Sequence, residues 1–591
     1  MKYRLYNKEQ KKNFSLIEQV LYNRGIEDPH SYLNLDDSAL IPYYKLDNIS
    51  EAVELLVEHA SRNHNISILV DSDPDGYCSA AMLYLYMKRA YKDCKLDYIL
   101  HGRPKAHGLT EDVIIPNETD LLIIPDASTN DVEQCKTLSE NMDILILDHH
   151  EKEKENPYAV IVNNQCSPNY TNKNLCGAGI VYKFLLALDD WLWNDFADDY
   201  LDLCALANIS DSMDIREHET RYLIKKGLQA IQNKFFLAIL KAQEYSTKGI
   251  INVNNIQWYI TPILNGCIRI GSSEEKELLF KAFIERDEVF EYKKRATKDK
   301  PAETIEESIY DRAARLSKNA KSRQDKLRDK STNTIIEIAN QRPDTDKVVI
   351  VDATEVLDDG LTGVVAIKIA EKFNKPCILL RKHTDNKSGK VSYGGSARNI
   401  DNSPIESFKD VVNQCGAFNY GQGHPNAFGV GLEMGQIENA IISLNKYLDD
   451  VEYDATYLVD SILDIDDVTI SSILDYAKFD DYIGQKIDEV KVAVENINLA
   501  KNCFSIYGKT EDTISFVVGD IKYIMFRCKE GNELYDWIQN AWNDEENITF
   551  NIVGKPGINE FNGIRTPQIT IEDINVVKIE NSSNKDYDDE W

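Results

Sequence analysis

The sequence predicts an α/β protein built on an open parallel sheet, followed by a smaller β-rich barrel. Three observations carry this. Residues 66–70, ISILV, form a short β-branched apolar run that meets Pro74 and Gly76 and then a helical pattern from Cys78 to Tyr91. Two later apolar runs, DLLIIPDAST and MDILILDHH, also end on acids, Asp126 and Asp148. The chain from 487 to 579 is dense in β-branched and aromatic residues punctuated by turns.

The first stretch carries the chemistry. Asp71, Asp73 and Asp75 are two apart, and in a chain leaving a strand extended that spacing turns all three to one side. Three carboxylates held so close repel unless a cation lies among them. A calcium-binding EF-hand also opens D-x-D-x-D-G, but it requires an entering helix and a Glu at its twelfth position. Here the entry is a strand and the twelfth residue is Met82. A solvated acidic turn is the bland alternative, and it weakens as further strands end on acids.

At 591 residues the chain has length for about four domains. No run reaches the roughly 18 apolar residues of a membrane span, and the first residues lack the apolar core of a signal peptide. Eleven cysteines without a CxxC pair argue against a disulfide framework or zinc site and for a reducing cytoplasm. The net charge of −31 opposes polyanion binding on its face. The charge is uneven, however: residues 449–486 are strongly acidic, whereas 312–330 carry eight Lys or Arg against two Asp.

Taken in order, residues 1–62 form a helical preface and 63–273 the first α/β domain. Within that domain the strand ends deliver Asp126 and then Asp148, His149 and His150, while Asp211 and Asp214 follow in NISDSMD. One sheet edge bearing carboxylates and imidazole suits two divalent metals that clamp a phosphate and acidify water, manganese being favoured over calcium by the imidazole. Residues 274–338 read as a long connecting helix whose Arg312, Arg315, Lys318, Lys321, Arg323 and Lys326 are either a solvated face or one wall of a strand channel. A second α/β domain spans 339–448, an acidic helical linker 449–486, an OB-type barrel 487–579 and an acidic, disordered tail 580–591. Gly519-Asp520 reads as a hairpin turn. Phe504, Tyr507 and Phe561 are core residues or, less often, base-stacking ones.

DSDPDG, Asp126 in IIPDAS, LDHH and Asp211 in NISDSM resemble the four motifs of the DHH phosphoesterase superfamily. LYNRGIEDPHSYLN, VIVNNQCSPNYTNKNLCGAGIVYKFL and PILNGCIRIGSS narrow the resemblance to the RecJ family of single-strand-specific exonucleases. GLTGVVAIKIAEKFNKPCILL, YGGSARN and CGAFNYGQGHPNAFGVGLE resemble the associated DHHA1 domain. The resemblance covers about 15–575 and implies a DHH domain, a DHHA1 domain and a C-terminal OB domain.

It further implies a 5′→3′ exonuclease of DNA repair or recombination that releases 5′-mononucleotides from single-stranded DNA with two Mn²⁺ or Mg²⁺ ions. Asp71, Asp73 and Asp75 would bind the metals, Asp126 would bridge them, and His149 and Asp211 would complete the second site. Asp148 would orient or ligate, and His150 would meet the scissile phosphate or leaving oxygen. Ser396, Arg398, Gly423, His424, Asn265 and Arg269, with Arg312, Arg315 and Arg323, would hold the strand. A monomer is expected, with a single-strand-binding protein or helicase as candidate partners. The chain departs from the family at Asp358-Asp359-Gly360, where His-Pro-Gly is usual, and at Ile263-Leu264-Asn265, where Arg-Ile-Asn is usual. The alternatives are a phosphodiesterase for short oligonucleotides or cyclic dinucleotides, whose members lack the preface and OB domain, and a non-catalytic single-strand-binding scaffold, which ordinarily has lost metal acids.

Overall fold

The computed structural model describes all residues except 8, 10, 12, 103–105, 112, 295, 297–300, 385–388, 401–402, 454–455, 509, 542–545, 562–563 and 581–591, and omits the side chains of 359, 561 and 580. The acidic tail expected after 580 therefore lies outside the described residues. The chain divides into two compact units, one of residues 37–453 and one of residues 1–36 with 454–591.

The larger unit holds the predicted parallel sheet. Its strands are β1 (Asn65–Val70), β2 (Lys95–Leu100), β3 (Leu121–Pro125), β4 (Asp143–Asp148) and β5 (Val160–Asn163), in the order β2-β1-β3-β4-β5 with every pairing parallel. The central strands β1, β3 and β4 are buried almost end to end, as expected of continuous apolar runs covered on both faces. The chain leaves β1 for the outer strand β2 and returns on the other side to β3, so the order switches between β1 and β3, where open α/β sheets place their sites.

Helix α1 (Pro74–Ala90) begins four residues earlier than the periodicity predicted. Asp73 caps it by accepting the Gly76 amide at 2.9 Å, and Pro74, which lacks an amide hydrogen, occupies the first helical position. The buried α1 is followed by α2 (Gly177–Leu192) and α3 (Leu201–Ser210), and α4 (Thr261–Ile270) closes the domain.

The stretch expected to be one connecting helix is broken. A helix at Ser273–Phe283 leads into an antiparallel hairpin, Val289–Lys294 with Glu303–Ser308, before α5 (Ile309–Ala339) begins under a Ser308 cap. The alternating Val289, Phe290, Glu291, Tyr292 pattern favours strand there. Beyond α5 a five-stranded mixed sheet runs in the order Tyr420–His424, Ala427–Glu433, Val391–Arg398, Cys377–Thr384, Val349–Asp352. Among the described residues no helix is long and apolar enough to cross a membrane.

The smaller unit contains a seven-stranded sheet, one edge strand of which, Ser461–Asp464, comes from the stretch expected to be an acidic helical linker; that stretch also holds the strand Thr456–Val459. Val518 and Ile521 pair across Gly519-Asp520, both at positive φ, which is the hairpin the sequence indicated. Phe504 is half-buried against the core residues Phe516 and Phe550, whereas Tyr507 is more exposed with the Lys522 ammonium 5.3 Å above its ring. Residues 1–36 are only partly the helical preface expected: Lys2–Leu5 is a strand, paired in parallel with Thr456–Val459.

Arg24 and Asp460 form a buried two-point ion pair at 2.7 and 2.9 Å that ties the ends of this unit together. Removing one member strands the other charge away from water, so Arg24→Ala should cost about 3–5 kcal/mol. Urea unfolding followed by a probe in this unit checks it; a loss below about 1 kcal/mol would mean that the pair behaves as a surface one.

Candidate metal centre

The sheet switch point gathers the acids, but not all on one side of one loop. Asp71 ends β1 and is buried; its carboxylate accepts the Gly108 amide at 2.9 Å and lies 2.9 Å from His107 Nδ1. Burial pushes its pKa up, but the nearby imidazoles of His101 and His107 and the Gly108 amide prevail and hold it at about 2. Asp73, the α1 cap, is raised to about 6 by burial and by the charges of Asp71 and Asp75. Asp75 points elsewhere. It lies in the first turn of α1 and accepts the Gly177 and Ala178 amides at 2.7 and 2.8 Å, together capping α2. The expectation that an extended loop turns all three acids to one side thus fails because the helix starts between them.

Asp126 follows β3 with φ +70, a left-handed conformation that Asp tolerates better than most residues. Its carboxylate is buried, and Oδ1 has no hydrogen-bond partner. Burial and the charges of Asp75, Asp73, Asp71 and Asp211 push its pKa well up. Asp211, at the C-terminus of α3, is raised by burial and by Asp75 and Asp73.

His149 stands among three carboxylates, its Nε2 3.2 Å from Asp126, 3.5 Å from Asp211 and 3.9 Å from Asp75. Burial, and then the charge of His150, lower its pKa to about 4, so near neutrality the ring is uncharged and can offer a lone pair. Asp148 is fully engaged: it accepts from the Thr129 amide and hydroxyl, the His149 and His150 amides, and His150 Nδ1 at 2.7 Å. Burial opposes its ionisation, yet these donors hold its pKa below the usual range. His150 is thereby oriented by a buried carboxylate while its ring is 43% exposed.

Ligand atoms of Asp71, Asp73 and Asp126 lie within 4.8 Å of one another. The same holds for Asp75, His149 and Asp211, and for Asp126, Asp148, His149 and His150. Asp126 belongs to the first and last of these groups, and its bare buried oxygen together with hard carboxylate donors fits a divalent cation.

Several participants escaped the sequence reading. His107 hydrogen-bonds Asp71 and its ring centroid is 4.6 Å from that of His150; His101, directly after β2, directs a buried Nε2 toward Asp71 at 3.7 Å. His101 obeys the same strand-end rule as Asp126 and Asp148 and was findable. Asn163, the end of β5, donates to the Thr129 hydroxyl and the His150 carbonyl and so braces the loop.

Of the expected strand contacts, Asn265 and Arg269 share α4 and, among the described residues, have no hydrogen-bond or ion-pair partner. Burial lowers the Arg269 pKa against the pull of Asp73, and Arg398 is lowered by burial and then by repulsion from Arg269, so the two guanidiniums are electrostatic neighbours and Arg269 also feels an acid of the site. Ser396 bonds the Thr362 hydroxyl at 3.0 Å. Gly423, at φ +122, and the exposed His424 end the outermost strand of the mixed sheet. Asp358 precedes the turn Asp359–Leu361, and the Asp359 side chain lies outside those described.

Most cations of α5 have partners within the protein. Glu307 binds Arg315 at two points of 2.7 Å and lies 3.9 Å from Arg312; Arg323 pairs with Glu275, Lys321 with Asp325, and Lys318 donates to the Ala242 carbonyl. Lys326 is exposed.

Two glycines let the acids approach. A Cβ on Gly177 would stand 2.5 Å from Asp126 Oδ1 and 2.6 Å from its Cβ, and one on Gly76 2.6 Å from the Asp71 Cβ. Gly177→Ala should therefore displace Asp126 and lower metal-dependent turnover about a hundredfold with little change in circular dichroism. Turnover within about twofold of the parent would contradict this packing.

Comparison with known proteins agrees with this geometry. Residues 65–208 match the DHH family, N-terminal domain, and 459–573 the RecJ OB domain. A putative SPbeta prophage-derived single-strand DNA-specific exonuclease of Bacillus subtilis (strain 168) is 35% identical over 585 residues, covering 98% of this chain and 99% of that one. The single-stranded-DNA-specific exonuclease RecJ of the same bacterium is 25% identical, covering 95% and 68%. The crystal structure of RecJ in complex with Mn²⁺ from Thermus thermophilus superposes with a TM-score of 0.70 at 17% identity, covering 95% of this chain and 76% of that one. With an acid-lined switch point, an OB domain and a relative matched end to end, the chain belongs to the RecJ-like family of single-strand DNA-specific exonucleases, metal-dependent phosphoesterases of the DHH superfamily.

Proposed function

We propose that this chain is a 5′→3′ exonuclease that hydrolyses single-stranded DNA to 5′-mononucleotides with two Mn²⁺ or Mg²⁺ ions, in DNA repair or recombination. The observation that carries the chemistry is that Asp126, buried and with an oxygen that accepts no hydrogen bond, belongs to two clusters of potential ligand atoms. Asp71, Asp73 and Asp126 would hold one ion, and Asp126, His149, Asp211 and Asp75 the other. When bound, such a pair neutralises phosphate charge and acidifies water.

The remaining residues position and stabilise. Asp148 fixes the tautomer of His150 by accepting a hydrogen bond from Nδ1, which leaves Nε2 facing out of the dyad, suited to the scissile phosphate or leaving oxygen. Arg269 and Arg398 repel each other beside Asp73; a phosphate placed between them would relieve that repulsion and be held by charge-assisted hydrogen bonds. Asn265, Ser396, Gly423 and His424 extend the same contact surface. Polarity and product are the family's, and the match of the OB domain supports a long strand over a dinucleotide.

A long single strand labelled separately at its 5′ and 3′ ends, incubated with Mn²⁺, Mg²⁺ or EDTA, tests the reading. The 5′ label should leave at once as mononucleotide, and EDTA and Asp148→Ala should abolish release. Hydrolysis confined to oligonucleotides of two to five residues would move the assignment to the short-substrate phosphodiesterases; no cleavage of either would leave a binding protein. Asp126→Asn should reduce turnover about a thousandfold and weaken Mn²⁺ binding in a calorimetric titration. Parent-like metal affinity would remove Asp126 from the centre.

A further inference from the structure

Just before α4 the chain makes a π-helical turn, Ile256–Ile260, that runs without a break into Thr261. Such turns are rare and concentrate at functional sites. Here the turn is set against the metal centre: the Thr261 hydroxyl lies 3.1 Å from that of Ser210, the residue before Asp211. Two aromatic residues of the turn face outward, Trp258 at 65% exposure and Tyr259 at 41%. Thr261, Asn265 and Arg269 fall at i, i+4 and i+8 of α4, one stripe, and Trp258 stands in the wider turn that leads into it, three residues before Thr261.

The stripe reads as a track. At one end Arg269 feels the charge of Asp73, in the middle Asn265 is unpartnered among the described residues, and at the other end stands an exposed indole. Eleven residues of helix span about 16 Å, the reach of a few nucleotides. The chain also needs a non-ionic source of affinity. It carries −31 net charge, and most cations of α5 are already paired with acids. Stacking on an aromatic ring supplies affinity that is independent of sequence and of cations.

We infer that Trp258 is a stacking platform for a nucleobase of the bound single strand, a few nucleotides from the phosphate at Arg269. This deepens the proposed function and rests on it. The Trp258 indole replaces phosphate contacts that an acidic surface cannot provide, and it grips strands long enough to reach it.

The full chain in EDTA, titrated with 5′-phosphorylated oligothymidylate of about twelve residues and read by fluorescence anisotropy, tests the inference. Trp258→Ala should weaken binding about tenfold, Trp258→Phe should restore most of it, and the salt dependence should keep its slope because no cation is lost. Trp193→Ala, which removes a 94% exposed indole off the stripe, should bind as the parent does. Equal binding by Trp258→Ala and the parent would overturn the inference and leave the nuclease assignment standing. A parent chain that neither binds nor cuts the strand would overturn both.

Discussion

Mutual repulsion among buried carboxylates governs the larger unit. Asp71, Asp73, Asp75, Asp126 and Asp211 converge on the switch point of one sheet, three of them nearly inaccessible. The protein answers that repulsion in two ways. Asp75 and Asp148 receive protein donors on their oxygens, Asp75 from the N-terminus of α2 and Asp148 from Thr129, His149 and His150. Asp73, Asp126 and Asp211 do not receive enough, and burial with neighbouring charge lifts their pKa values. The acids of the first group are anchored by donors of the chain, and those of the second carry charge that the chain leaves uncompensated, as a cation site requires.

The division explains local features that otherwise look unrelated. Helix α1 must begin at Pro74, because only then does Asp73 cap it while Asp75 reaches across to cap α2. Gly177 must lack a side chain, because the amide that binds Asp75 belongs to a residue pressed against Asp126. One residue therefore serves two acids, one through its nitrogen and one through its missing Cβ. The left-handed backbone at Asp126 is part of the same packing, turning the carboxylate inward at the end of β3.

Much of this was legible in the sequence. Strand runs ending on acids gave the parallel sheet, its edge and most of the candidate ligands, because burial on both faces forces continuous apolar runs. What escaped depended on contacts distant along the chain. The direction of Asp75 is set by amides about a hundred residues away, and the neutralisation of Arg315 and Arg323 by Glu307 and Glu275 is invisible to a count of basic residues. The pairing of Lys2–Leu5 with Thr456–Val459 has no local signal at all. His101 is a different case, since its place after β2 follows a rule already applied to three other strands.

The acidity of the chain is consistent with a substrate that is a polyanion once the cations are located instead of counted. A cation on an open surface is screened and attracts any nucleic acid, duplex or single strand. Cations of that kind are here largely consumed in internal ion pairs along α5. Arg269 and Arg398 are instead partly buried and electrostatically coupled to each other, where a phosphate would be stabilised more strongly than in water. On the proposed function, an acidic chain with a partly buried pair of guanidiniums would disfavour indiscriminate adhesion while still holding a phosphate that reaches the pair. Selectivity would then be a difference of affinities, set by repulsion as much as by attraction.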